Sequence, residues 1–165
     1  MRILGIDPGS ETTGYGLIES DGSCHSAVAY AAIRTQSRRP FAVRLFQIYT
    51  ELSRLLEREK AEVLAIEEVF HAVNVQSALR LGHARGVALL VAAQHALPVF
   101  EYSPLEIKSG IVGYGRAEKQ QVQSMVQFLL KLPELPPPDA ADALAVAVCH
   151  AHQLKRHACV AAALR

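Results

Sequence analysis

Four carboxylates in this chain stand where an acid is costly to place. Asp7 ends the apolar run RILGID, Glu67 ends the apolar run VLAI, and Asp139 and Asp142 lie three residues apart at the opening of an alanine-rich segment. On a helix that spacing puts the last two on one face. A carboxylate at the end of a buried strand loses solvation and needs a cation or several donors beside it, and no basic residue flanks either strand end. A metal is the economical partner. Hard oxygen ligands, with no HxxxH pattern or cysteine pair among them, select Mg²⁺ or Mn²⁺ over Zn²⁺. Two such ions roughly 4 Å apart would activate a water and stabilise the leaving oxygen in phosphodiester cleavage. Each acid also has a plainer reading. Asp7-Pro8-Gly9 suits a β-turn, Asp139 could cap a helix, Asp142 would sit well against its dipole, and Glu68 would point away from Glu67 toward solvent. Four acids at the ends of core elements are hard to explain as four independent caps.

The elements that must position them follow from periodicity. Residues 2 to 33 read as three strands, RILGID, YGLIES and SAVAYAAI, separated by a turn-forming stretch from Pro8 to Gly14 and by an Asp21-Gly22 hairpin turn. From Pro40 to about Lys60, Leu45, Ile48, Leu52, Leu55 and Leu56 recur at helical spacing. Val63 to Ile66 reads as a buried strand, Gln76 to Ala96 as a long helix, and Pro98 to Tyr102 as a short strand. Pro104 to Val112 and Glu118 to Leu130 read as helices, PELPPP (133–138) breaks the second, and Asp139 opens a last helix reaching about Lys155. Strands in a meander followed by alternating helix and strand imply one α/β domain with a mixed central sheet flanked by helices. The expected domain is 1–155, with 156–165 a C-terminal extension or frayed helix end.

Composition sets the class. The 165 residues are 50% apolar and 20% charged, an ordinary globular balance with no apolar run long enough for a membrane span. The opening apolar run stops at Asp7, too short for a signal peptide, and a cytoplasmic location is expected. Cys24, Cys149 and Cys159 are odd in number and widely spaced, which argues against a disulfide framework or a zinc ribbon. The formal net charge of +1 becomes +5 once the four acids are set aside as metal-neutralised. That is the charge a phosphate backbone would meet. Basic residues recur at Arg34, Arg38, Arg39, Arg80, Arg85, Lys108, Arg116 and Lys119, as contributors to one DNA-binding surface or as solvated faces.

These motifs carry a resemblance. GIDPGSETTGYGLI, AIEEVF, HARGVA, VGYGRAEK and DAADALAVAVCHAH, in that order from residue 3 to about 152, resemble the RuvC family of Holliday junction resolvases. The resemblance implies a ribonuclease H-like fold, a homodimer, and Mg²⁺-dependent paired nicking of four-way junction DNA in recombination and repair, with RuvA and RuvB as branch-migration partners. By motif, the family's catalytic and metal-binding acids fall on Asp7, Glu67, Asp139 and Asp142. Some family members carry His in place of an acid in the last motif, whereas this chain keeps two Asp. Lys108 and Lys119 match family lysines near the scissile phosphate. Phe70 is either a core residue or an exposed ring that stacks on an unpaired base, and the resemblance favours stacking.

Two other readings compete. GIDPGS also resembles the phosphate-binding turn of actin-like and sugar-kinase ATPases, but those enclose a nucleotide between two such domains. A non-catalytic DNA-binding domain would use the basic residues and leave the acids unexplained. The helix from Gln76 to Ala96 carries Gly82 and Gly86, which cost ~1 kcal/mol each in helix propensity. Close approach of another helix justifies that cost. The approaching helix could belong to the same chain, though the resemblance places the dimer interface here, and an isologous dimer supplies two equivalent sites for two cuts.

Overall fold

The computed structural model describes residues 1–68 and 74–163, with side chains described through Lys155. Among the described residues, five strands and five helices follow one another: β1 (Arg2–Asp7), β2 (Thr12–Ser20), β3 (His25–Arg34), α1 (Phe41–Glu59), β4 (Val63–Glu67), α2 (Val75–Gln94), β5 (Val99–Tyr102), α3 (Pro104–Val112), α4 (Lys119–Leu129) and α5 (Pro138–Ala163). They form one sheet in the order β3-β2-β1-β4-β5, antiparallel through β3, β2 and β1 and parallel from β1 through β4 to β5. The mixed sheet expected from sequence is present.

Alternation along the strands divides the core in two. Leu4, Ile6, Leu17, Leu64 and Ile66 bury against α1 and α2 through Ile48, Leu52, Ala88 and Val91. Ile3, Ile18, Val63 and Ala65 bury on the opposite face against α3, α4 and α5 through Ile107, Val126, Leu144 and Val148. The side chains of Asp7 and Glu67, in phase with Ile3 and with Val63 and Ala65, therefore fall on the α5 face.

Several boundaries differ from expectation. The turn after β1 is shorter than Pro8 to Gly14, because β2 begins at Thr12 and Gly14 is paired with Asp7 in the sheet. Pro40 takes the N-cap position of α1, one residue before the helix. Helix α5 continues past Lys155 to Ala163, so residues 156–163 extend it. Its first turn begins at Pro138, which places Asp139 inside the helix instead of at its cap.

Candidate active site

Strand register brings the first two acids together. β1 and β4 are parallel neighbours with Ile6 opposite Ile66, so Asp7 and Glu67 follow side by side on one face at the ends of both strands. The turn leaving β1 is braced from beneath. Buried Thr13 donates its hydroxyl to the Gly9 carbonyl at 2.7 Å, and Arg44 of α1, 5% exposed, donates to the Ser10 carbonyl at 2.6 Å and to Thr35 at 3.0 Å. Neither brace was singled out from the sequence: a threonine and an arginine carry no signal of burial until the fold encloses them.

Helix α5 brings the other two acids across the sheet. Its buried face is alanine-rich, and the facing strand positions are Gly5, Gly14 and Gly16. A Cβ at Gly14 would lie 2.0 Å from the Asp139 carbonyl oxygen, and one at Gly5 would lie 2.1 Å from that of Ala143. Helix backbone therefore rests directly on strand backbone. Gly5 is the cross-strand partner of Gly16, and Gly14 is the partner of Asp7, so this close contact runs up to the acid itself. Asp142, one turn into α5, borders the same cleft as Asp7 and Glu67.

That cleft encloses about 400 Å³ and is lined by Asp7, Glu67, Asp142, Lys108 and Lys119, with Ile107 and Val122 among its apolar walls. Its electrostatics are those of crowded acids. Burial, then the neighbouring carboxylates of Glu67 and Asp142, raises Asp7 to about 7, against a smaller lowering influence of Lys119. Glu67 is raised by burial and by Asp142, with Lys119 and a hydrogen bond to Asp7 opposing. Cations answer the acids of α5: Lys119 Nζ lies 2.5 Å from Asp142 Oδ2, and Arg34 at the end of β3 lies 3.9 Å from Asp139 Oδ2. The Arg34 contact ties the third strand to the acid cluster and was not anticipated. Hard oxygen donors among which Asp7 and Glu67 resist ionisation, first through burial and then through neighbouring carboxylates, suit one or two divalent cations, whose charge favours the ionised forms.

The other anticipated residues divide by location. Lys108 on α3 and Lys119 at the start of α4 line the cleft, and Ser103 and Glu106 cap α3 reciprocally, which fixes the helix that carries Lys108. Arg116 is exposed on the connection between α3 and α4, and Arg80 is exposed on α2. Arg85 is a different case. Its guanidinium pairs with Glu101 of β5 and is 19% exposed, so it serves as a tie between α2 and the sheet edge. Phe70 lies outside the described residues. Gly82 and Gly86 are exposed on α2, far from the cleft in role, and a Cβ at either would meet nothing within 4 Å. A close-packed helix of the same chain is thus excluded there among the described residues. Cys24 is exposed and Cys149 buried, both as free thiols.

Comparison with known proteins adds the following. The family described as "Crossover junction endodeoxyribonuclease RuvC" matches residues 3–150. The enzyme of that description from Geobacter sulfurreducens is 54% identical over 152 residues, covering 92% of this chain and 93% of the relative. That from Syntrophotalea carbinolica is 55% identical, covering 92% and 94%. Among solved structures, T. thermophilus RuvC in complex with a Holliday junction substrate superposes with a TM-score of 0.91 at 32% identity, over 95% of this chain and 96% of the other.

Proposed function

The chain belongs to the RuvC family of crossover junction endodeoxyribonucleases, metal-dependent nucleases of ribonuclease H-like fold, and from that premise we propose that it resolves four-way DNA junctions by paired nicking at the cleft of Asp7, Glu67, Asp139 and Asp142. The observation that carries the assignment of the site is the convergence of acids from β1, β4 and α5 on one cleft that also holds two lysines.

Asp7, Glu67 and Asp142, together with Asp139 one turn earlier on α5, would hold the metal, Mg²⁺ or Mn²⁺ and two ions per site. When bound, the ions supply an activated water and charge stabilisation at the leaving oxygen. Lys108 and Lys119, which line the same cleft, meet the phosphate, and Arg80 and Arg116 extend the cationic surface beyond it. Phe70, three residues after Glu67, stacks on an unpaired base at the junction centre.

The protein acts as a homodimer through α2. Val75, Leu79, Gly82, Gly86 and Leu90 form an exposed apolar stripe at helical spacing, opposite the face of Ala84, Ala88 and Val91 that packs on the sheet. A second copy laid on this stripe would fit two helix backbones together at the glycines, which gives them the close approach that their own chain does not. RuvA and RuvB are the proposed partners in delivering a junction. No described helix is long and apolar enough to cross a membrane, and we place the protein in the cytoplasm with its DNA.

A labelled mobile four-way junction and a matched linear duplex, incubated with Mg²⁺, Mn²⁺ or EDTA, test the function directly. Symmetric cuts in the junction alone, dependent on metal, are expected. Asp7→Asn should abolish cutting and leave junction binding intact, since it removes one charged ligand while preserving volume and the basic surface. Loss of binding together with cutting would assign Asp7 to the folding of the β1 turn.

A further inference from the structure

Lys119 occupies an odd position for a cation. It is the first residue of α4, where the helix dipole disfavours positive charge. The helix start has its own cap, because the Glu118 amide donates to Gln121 Oε1 at 2.8 Å, so the lysine is not needed to begin the helix. Its ammonium turns back across the cleft to Asp142, 2.5 Å away, although the side chain remains 64% exposed. Asp7, Glu67 and Asp142 line this cleft, yet among the described residues no three of His, Cys, Asp or Glu are gathered as a ready ligand set. One carboxylate oxygen of these acids, Asp142 Oδ2, is engaged by the Lys119 ammonium. Lys108 lines the same cleft and has no ion pair with a described residue.

We propose that Lys119 is the resident counter-ion of the acid cluster: a divalent cation displaces its ammonium from Asp142, and the freed ammonium passes to a phosphate of the bound strand. The proposal rests on reading the four acids as the metal site. Metal and lysine then compete for one carboxylate oxygen, so the metal binds more weakly than it would to the same acids without the lysine. Metal and DNA become coupled in turn, because the cation that occupies the acids releases a positive group to the backbone.

Titration calorimetry with Mn²⁺ on the full chain tests the competition without reference to cleavage. Lys119→Met should bind Mn²⁺ more tightly than wild type by up to about fivefold, the ceiling set by an exposed ion pair that no longer has to be broken. Lys108→Met controls for the loss of one positive charge from the cleft and should tighten binding less than twofold. Junction affinity measured across salt concentrations in Ca²⁺, another oxygen-seeking cation, tests the transfer. The logarithmic salt slope should be about 0.9 shallower for Lys119→Met than for wild type in Ca²⁺, and the two should coincide in EDTA. Equal Mn²⁺ affinity in wild type and Lys119→Met, or equal tightening by Lys108→Met, overturns the displacement. Slopes that differ equally with and without Ca²⁺ overturn the transfer. Absence of saturable Mn²⁺ binding in every variant and in wild type is a different result, since it removes the metal site on which the proposal depends.

Discussion

Glycines serve opposite purposes on the two sides of the sheet. On the α5 side, Gly5, Gly14 and Gly16 let helix backbone settle onto strand backbone, with a missing Cβ at Gly14 that would stand 2.0 Å from the Asp139 carbonyl oxygen. On the α2 side, Gly82 and Gly86 meet nothing within 4 Å. The first set is packed within the chain and fixes the acids of α5 against those of β1 and β4. The second is left open, and its purpose lies outside the protomer. One residue type thus marks a tight backbone contact and an open helix surface, and only the neighbours distinguish the two.

The comparison is broken most severely at Gly14. Gly14→Val places a side chain into the backbone of α5, which cannot yield as a flexible side chain would. Overpacking of this kind costs about 3 kcal/mol or more. For a chain of this size that lowers the melting temperature by roughly 6–12 °C. Cleavage should fall further than stability does, because any shift that relieves the clash moves Asp139 and Asp142 away from Asp7. Gly16→Ala should show the same effect more mildly, since its nearest neighbours include the Leu144 side chain as well as backbone, at 2.7 to 2.8 Å. Thermal melting read beside junction cleavage checks both. A Gly14→Val protein with unchanged melting temperature would mean that α5 is free to lift, and the contact would lose its positioning role.

How much of this was legible in the sequence depends on the range of the forces involved. Asp7 and Glu67 could be placed because an acid that ends an apolar run is a local signal, and strand alternation then decides the face. The helices were legible for the same reason, down to the apolar stripe of α1. The contact of α5 with the glycines was not, although isolated glycines in a strand point to close backbone approach. Gly14 reads as part of a turn because Pro8, Gly9 and Gly14 lie close together, whereas pairing across β1 and β2 draws Gly14 into the sheet. Tertiary pairing outweighed local turn chemistry. Charge partners were the least legible. Arg85 reads as a DNA-binding arginine until β5 brings Glu101 to it, and Arg34 reads as part of a basic run until β3 delivers it to Asp139. Ion pairs between residues far apart in sequence have no local signature.

The acid side of the comparison also predicts a pH dependence. Asp7 is raised from 3.8 to about 7, first by burial and then by Glu67 and Asp142. Between those values the folded chain holds a proton that the unfolded chain has released. The stability contributed by the protonated Asp7 in the absence of metal is therefore fully present below 3.8 and is lost as pH rises to about 7, with a limiting slope of about 1.4 kcal/mol per pH unit. In EDTA, denaturant midpoints should fall between pH 5 and pH 7.5. Asp7→Asn should flatten that fall and be more stable than wild type at pH 7.5. Saturating Mg²⁺ should suppress the fall in wild type by stabilising the ionised form. A wild-type midpoint that rises over this interval would mean that Asp7 is ionised throughout and that nearby cations outweigh its burial.

The smallest effect is expected on the open side, and its sign is the informative part. A Cβ at Gly82 has no neighbour in the chain to strike, so Gly82→Ala should stabilise the protomer through helix propensity alone, by about 1 kcal/mol. The same methyl group at a helix-to-helix contact between protomers would hold the two backbones apart and weaken association. Stability and association should therefore move in opposite directions: a higher melting temperature at low protein concentration, and a shift toward monomer in sedimentation. Gly86→Leu should weaken association more strongly, because the side chain is larger and lies one turn further along the same stripe. Concentration separates this outcome from an internal clash, since a damaged dimer contact loses stability only where wild type is dimeric, whereas a damaged internal contact loses it at every dilution. If Gly86→Leu were destabilised equally at all concentrations, α2 would pack against its own chain in solution, and the two sets of glycines would share one purpose.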